Sequence, residues 1–250
     1  MNILITNDDG FKSQGINALA DLLSARHKIT IIAPSSNKSG ISSALSLRKK
    51  IKVNKISSNI FSVNGTPADC VHIGINYLMD KNPDMVISGI NHGANLGDDI
   101  IYSGTFAGAL EGRHLKRASI AISLVYGGCG YFETAAKVVD QMVANKKFLK
   151  IPSGTVLNVN VPDVKTENIE DYLIVPHGLR ARASDLEIIS DSKHLLEFKL
   201  GKSGKEKIDM HLQTDFSAVN NNCVAITPVR FDFSDSRQLR SDSELRNLFG

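Results

Sequence analysis

The sequence predicts an α/β fold: a mostly parallel sheet with helices on both faces. Short β-branched runs alternate with helical stripes through the first half of the chain, the rhythm of a parallel sheet. Polar and glycine-rich segments follow the runs, where open α/β sheets bind ligands. The length of 250 residues, 42% hydrophobic and 22% charged, is enough to bury a sizeable core and unlike a disordered chain.

Residues 2–7 read as the first strand, ending in Asn7-Asp8-Asp9-Gly10. Ile16, Leu19, Ala20 and Leu23 form one helical stripe before a second strand at 28–33, stopped by Pro34. Leu47 to Ile56 and Ile60 to Val63 read as a strand pair outside the βα rhythm. Thr66-Pro67-Ala68-Asp69 is a helix start, with Thr66 as cap, Pro67 at the first helical position and Asp69 completing a capping box. That helix is expected to reach about Met79. Asp84 to Ser88 is a buried strand, followed by a long glycine-rich loop up to Asp99. A helix from about Gly104 to His114, a strand at Ser119 to Leu124 and a helix from about Phe132 to Asn145 follow. Val156 to Val161 and Cys223 to Thr227 read as later strands, and Thr214-Asp215 as a cap for a short helix. Strands and a hairpin around Gly201-Lys202-Ser203-Gly204 are expected within 172–212, and the polar tail from Phe231 reads as an arm toward a partner subunit.

The formal net charge of +3 is too small for a nucleic-acid footprint. Neither a leader pattern nor an apolar run of membrane-spanning length is read, so a cytoplasmic protein without membrane or nucleic-acid partners is expected. Cys70, Cys129 and Cys223 are odd in number and far apart, and read as small core side chains rather than a zinc or disulfide framework.

The adjacent carboxylates of Asp8 and Asp9 dominate the chemistry. Two like charges at the end of a buried strand raise each other's pKa and are costly to desolvate, and a divalent cation relieves both penalties. Neighbours on a regular strand point to opposite faces, so the two converge only if the strand ends there, with Gly10 making the turn. Ser39 and Asn91 fall after other strands, and this all-oxygen set suits Mg²⁺, Mn²⁺ or Ca²⁺ rather than zinc. Ser103-Gly104-Thr105 opens a helix whose free N–H groups suit an anion. There is no GxGxxG, no GxxxxGK[ST] and no GxSxG. The loop residue His92 reads as a surface side chain or an aid to proton transfer; His177 and His211 have no partner visible in sequence.

Asn7-Asp8-Asp9-Gly10, Ser39-Gly40, Gly65 to Val71, Ser88 to Asn91 and on through Tyr102-Ser103-Gly104-Thr105 to Glu111-Gly112 resemble the SurE family. So do Asn158 to Pro162, Thr214-Asp215 and Ile226-Thr227-Pro228, in order across nearly the whole chain. The resemblance implies a Rossmann-like three-layer core (about 1–165 and 214–230), a β-hairpin and subunit-contact region (about 172–212) and a C-terminal arm (about 231–250) exchanged in homodimers or homotetramers. It implies a divalent-metal-dependent acid phosphatase acting on nucleoside 5′- and 3′-monophosphates, with exopolyphosphatase activity in some members. One metal per subunit would be held by Asp8, Asp9, Ser39 and Asn91, with Asn95, Ser103, Gly104 and Thr105 around the phosphate. A metal-activated water is the expected nucleophile, with Asp8 or Asp9 taking its proton; a covalent aspartyl-phosphate is the alternative. A non-enzymatic nucleotide- or metal-binding module is the rival reading. Two departures stand out: Asp171-Tyr172-Leu173 lies where the family usually has Tyr-Trp, and Asn220-Asn221-Asn222 replaces a glycine before the last core strand.

Overall fold

The computed structural model describes residues 1–125, 127–183, 186–192, 194–200, 204–207 and 212–231. Alternation along the first strand organises the molecule. In β1 (Asn2–Thr6), Ile3 and Ile5 face one side of the sheet and Leu4 the other, and all three are fully buried. Side chains of a strand alternate between faces, so both faces of this sheet need a helical cover.

One cover is α1 (Gln14–Ser24) with α4 (Phe132–Ala144), whose apolar stripes join Ile3 and Ile5 in the largest core cluster. The other is α2 (Pro67–Ile73), whose Cys70 and Val71 meet Leu4, together with α3 (Gly104–Glu111), which packs on α2. Between these layers lie β2 (Lys28–Pro34), β5 (Met85–His92), β6 (Ser119–Val125) and β7 (Thr155–Pro162), which with β1 form a parallel run in the order β2-β1-β5-β6-β7. The three-layer α/β architecture expected from the sequence is the one observed.

The strand pair outside the βα rhythm joins this sheet. β4 (Ile60–Val63) pairs parallel with β2, and β3 (Val53–Lys55) pairs antiparallel with β4 at the edge. The stretch before Val53 is not strand; Ser46 N–H instead donates to the Asp69 carboxylate and Thr66 Oγ1 donates to the Ala44 carbonyl, tying this segment to the start of α2. The helix expected from Thr66 to Met79 has the capping box, but its last turn, Gly74–Leu78, is a π-turn. At Gly74 a Cβ would fall 2.5 Å from Leu4 and 2.7 Å from Ile32, so the missing side chain lets this turn lie on the sheet.

At the far edge, β11 (Val224–Arg230) pairs antiparallel with β7 and parallel with β8 (Tyr172–Ile174). The short helix α5 (Asp215–Asn220) precedes β11 and is capped by Thr214. In the Asn220-Asn221-Asn222 stretch noted as a departure, Asn222 adopts φ +55°, a left-handed conformation that Asn tolerates better than most residues. β9 (Glu187–Asp191) and β10 (Leu196–Lys199) form a separate antiparallel ribbon. Most of the expected hairpin turn, 201–203, together with His211 and the arm beyond Phe231, lies outside the described residues. Cys70 and Cys223 are buried as expected, whereas Cys129 is exposed, because its loop runs over the surface at the sheet's carboxyl edge. Among the described residues no helix is long and apolar enough to cross a membrane.

Candidate active site

The first strand ends at Thr6, and Asn7 makes the turn that follows. Its Oδ1 accepts from the Gly10 N–H and its Nδ2 donates to the Gly10 carbonyl and to Ser13 Oγ. Gly10 closes the turn at φ +103°, a conformation glycine adopts without steric cost. The Asp8 carbonyl accepts from Lys38 N–H, which draws the Ser39-Gly40 segment alongside.

The third contribution comes from β5, which corrects the expected loop. The strand does not stop at Ser88 but bulges, slipping register against β6 before Asn91 and His92 pair with Ser123 and Leu124. At the bulge Gly89 approaches β6 so closely that a Cβ would lie 2.3 Å from the Ile122 carbonyl. Asn91 is therefore held on a strand end rather than on a free loop, and bulges of this kind commonly re-aim side chains beside active sites.

Asp8, Ser39, Gly40, Asn91, Asn95, Asp99, Tyr102 and Ser103 line one open cleft of about 300 Å³. Asp9 lines an adjoining hollow of about 290 Å³ with Ser13, Gln14, Gly130 and Phe132, and His92 borders both. Asp9 Oδ2 accepts from the His92 N–H at 3.1 Å. Gly104 and Thr105 do not border the cleft: both are buried against Asp8. Asn91 Nδ2 donates to the Gly93 carbonyl, which leaves the oxygen end of its carboxamide for a ligand.

Burial pushes the Asp8 carboxyl up to about 6; the Thr105 hydroxyl pulls it down and the Asp9 charge raises it further. Burial also raises Asp9, against the His92 N–H and ring, which lower it. Adjacent carboxylates on two adjoining hollows, both with their charge disfavoured by burial, are the environment a cation would correct. Among the described residues no cluster of three or more His, Cys, Asp or Glu could hold a metal. The residues present fit a hard cation only as an oxygen set, with Ser39 and Asn91 sharing the cleft with Asp8 and the Asp9 carboxylate in the adjoining hollow.

The supports of Asn95 were missed as site residues. Asn160 pairs with its backbone, accepting from the Asn95 N–H and donating to its carbonyl, and Asn158 donates to the same carbonyl. Asn95 Nδ2 donates to Ser123 Oγ. Two Asn residues at alternate positions of the buried strand Val156 to Val161 were the available signal, since carboxamides on a buried face need partners. His177 also has a partner, Asp215, at 2.9 Å. Asp215 further accepts from Gly97, Gly178 and Phe216 N–H groups and so anchors the turn at Gly97–Tyr102 that borders the cleft.

The family model described as Survival protein SurE matches residues 3–184. Among curated relatives, "5'-nucleotidase SurE" of Methylococcus capsulatus is 42% identical over 96% of this chain and 95% of its own. The protein of the same name from Vibrio campbellii is 45% identical over 98% and 95%. The crystal structure of the SurE protein from Aquifex aeolicus superposes with a TM-score of 0.84 at 37% identity, covering 98% of this chain and 99% of that one. With the motifs in order, the architecture shared and the identity sustained end to end, the chain belongs to the Survival protein SurE family.

Proposed function

We propose that this chain is a divalent-metal-dependent nucleotidase that hydrolyses nucleoside 5′-monophosphates to nucleoside and phosphate. The observation that carries the reading is the buried Asp8 carboxylate, raised to about 6, at the head of an oxygen-lined cleft. The names of the relatives from Methylococcus capsulatus and Vibrio campbellii support the substrate class.

Asp8, Asp9, Ser39 and Asn91 would hold the cation. When bound, it supplies Lewis acidity, lowering the pKa of a bound water and polarising a phosphoryl oxygen. Asp8 or Asp9 takes the proton from the attacking water. Ser103, at the cap position of α3, and Asn95 orient the phosphate from the cleft wall. These groups address the phosphoryl end rather than the sugar, so 3′-monophosphates belong to the proposed range and polyphosphate is the natural further substrate to assay.

Phosphate release from a panel of 5′- and 3′-monophosphates and polyphosphate, in EDTA and then with Mn²⁺ or Mg²⁺ restored, tests the reading. Release that requires metal is expected. No release by folded protein with any metal would favour a binding module.

The proposal extends to self-association. Ile188, Ile189, Leu195, Leu196 and Phe198 on the β9–β10 ribbon are each at least half exposed. A two-stranded ribbon is marginal alone, and large apolar side chains exposed on both of its faces call for a cover. A second copy of the chain is the proposed cover. Sedimentation velocity should show a dimer or tetramer, and Ile188→Lys with Phe198→Glu should shift it toward monomer; a monomeric parent chain would refute this.

A further inference from the structure

We infer that Thr105 is a positioning residue for Asp8 and not a contact to the substrate's phosphate. The inference rests on the nucleotidase reading for its kinetic arm only.

Thr105 is fully buried, and its hydroxyl donates to Asp8 Oδ1 at 2.5 Å. A hydroxyl has one proton to donate. Once that proton is committed to Asp8, the Thr105 side chain offers only lone pairs, which a phosphate, itself an acceptor, does not bind, and the Thr105 backbone N–H is also turned to Asp8. Ser103, two residues earlier, borders the cleft, whereas Thr105 does not.

Helix capping does not explain the hydroxyl. Ser103 already caps α3, its Oγ accepting from the Phe106 N–H at 3.0 Å. Gly104 makes the contact specific to Asp8 from the other side: a Cβ there would lie 2.9 Å from Asp8 Cβ and 3.0 Å from Oδ2. The first two residues of α3 thus seat the carboxylate from both oxygens. Thr105 holds Oδ1 and the bare Gly104 backbone leaves just enough room beside Oδ2. Partners of this kind orient a ligating carboxylate, and their loss typically costs 10–100-fold in metal affinity or activity.

The test compares Thr105→Val and Thr105→Ala with Thr105→Ser in the full chain. Calorimetric titration with Mn²⁺ is expected to show about 10–100-fold weaker binding for Val and Ala, and near-parental binding for Ser. At saturating Mn²⁺, kcat should fall for Val and Ala, while KM for the nucleotide and inhibition by inorganic phosphate stay within about twofold, and Ser should rescue kcat. A raised KM and weakened phosphate inhibition with unchanged Mn²⁺ affinity would assign Thr105 to the substrate instead. Unchanged Mn²⁺ affinity and kcat in a folded variant would reduce the contact to packing, and absence of Mn²⁺ binding by the parent would also overturn the inference. Should the parent bind Mn²⁺ yet release no phosphate, the nucleotidase reading alone fails and the calorimetry still decides Thr105.

Discussion

Replacing Asp8 by Asn is expected to reduce turnover by about 10²–10⁴-fold, the range associated with loss of a positioned proton acceptor, and at the same time to stabilise the metal-free protein. The two effects have one cause. Asp8 is 4% exposed, and its carboxyl is raised from 3.8 to about 6, chiefly by burial. In the folded state it therefore binds its proton more tightly than in the unfolded chain. Its contribution is fully present below pH 3.8 and is lost as pH rises through about 6. An Asn has no charge to desolvate, and its side-chain oxygen can still accept from Thr105. In EDTA the Tm of Asp8→Asn should match the parent near pH 4 and exceed it above pH 6, by about 2–4 °C for each kcal/mol recovered. Mn²⁺ should raise the Tm of the parent and not of the variant, since only a state that binds the ion gains from it. A variant that kept near-parental turnover, or a parent whose Tm ignored Mn²⁺, would displace Asp8 from the centre of the site.

The second large effect lies away from the cation site. Asp215 is wholly buried, paired with His177 and bonded to the N–H groups of Gly97, Gly178 and Phe216. Removing one partner of a buried pair leaves the other without compensation, so Asp215→Ala is expected to destabilise the protein by about 3–5 kcal/mol in urea unfolding. It should also lower activity, because Gly97 opens the turn that carries Asp99 and Tyr102 into the cleft. Burial pushes the Asp215 carboxyl up, but the bonds from His177, Gly178 and Gly97 bring it below the ordinary carboxylate value of 3.8. The sign is opposite to Asp8: its stabilisation is present above pH 3.8 and is lost as pH falls through the depressed value. The deficit of Asp215→Asn against the parent should therefore narrow in acid. A deficit independent of pH would mean that the carboxylate charge is not what holds the turn.

These two residues show where sequence reading stopped. Asp8 was legible because adjacent carboxylates after an apolar strand violate a local rule, and such violations point to function. Asp215 was legible only as part of a helix cap. Its partners, 38 residues away at His177 and 118 away at Gly97, come together beside the β11–β8 edge of the sheet. Asn158 and Asn160 were visible as polar residues in a buried strand, but nothing local said that Asn95 was what they held.

The βα order, the three layers and the capping box at Thr66 were legible in the chain because periodicity and short-range hydrogen bonding are written in neighbouring residues, and the family was legible in motifs that resemble it in order. Long-range packing was needed to show that the strand through Ser88 continues past a bulge to present Asn91, that the edge pair joins the main sheet, and that Asp9 borders a second hollow. It also turned Thr105 inward to Asp8. Each of these depends on which strands lie side by side and how closely their backbones approach, and that is settled by the packed core rather than by any window of the chain.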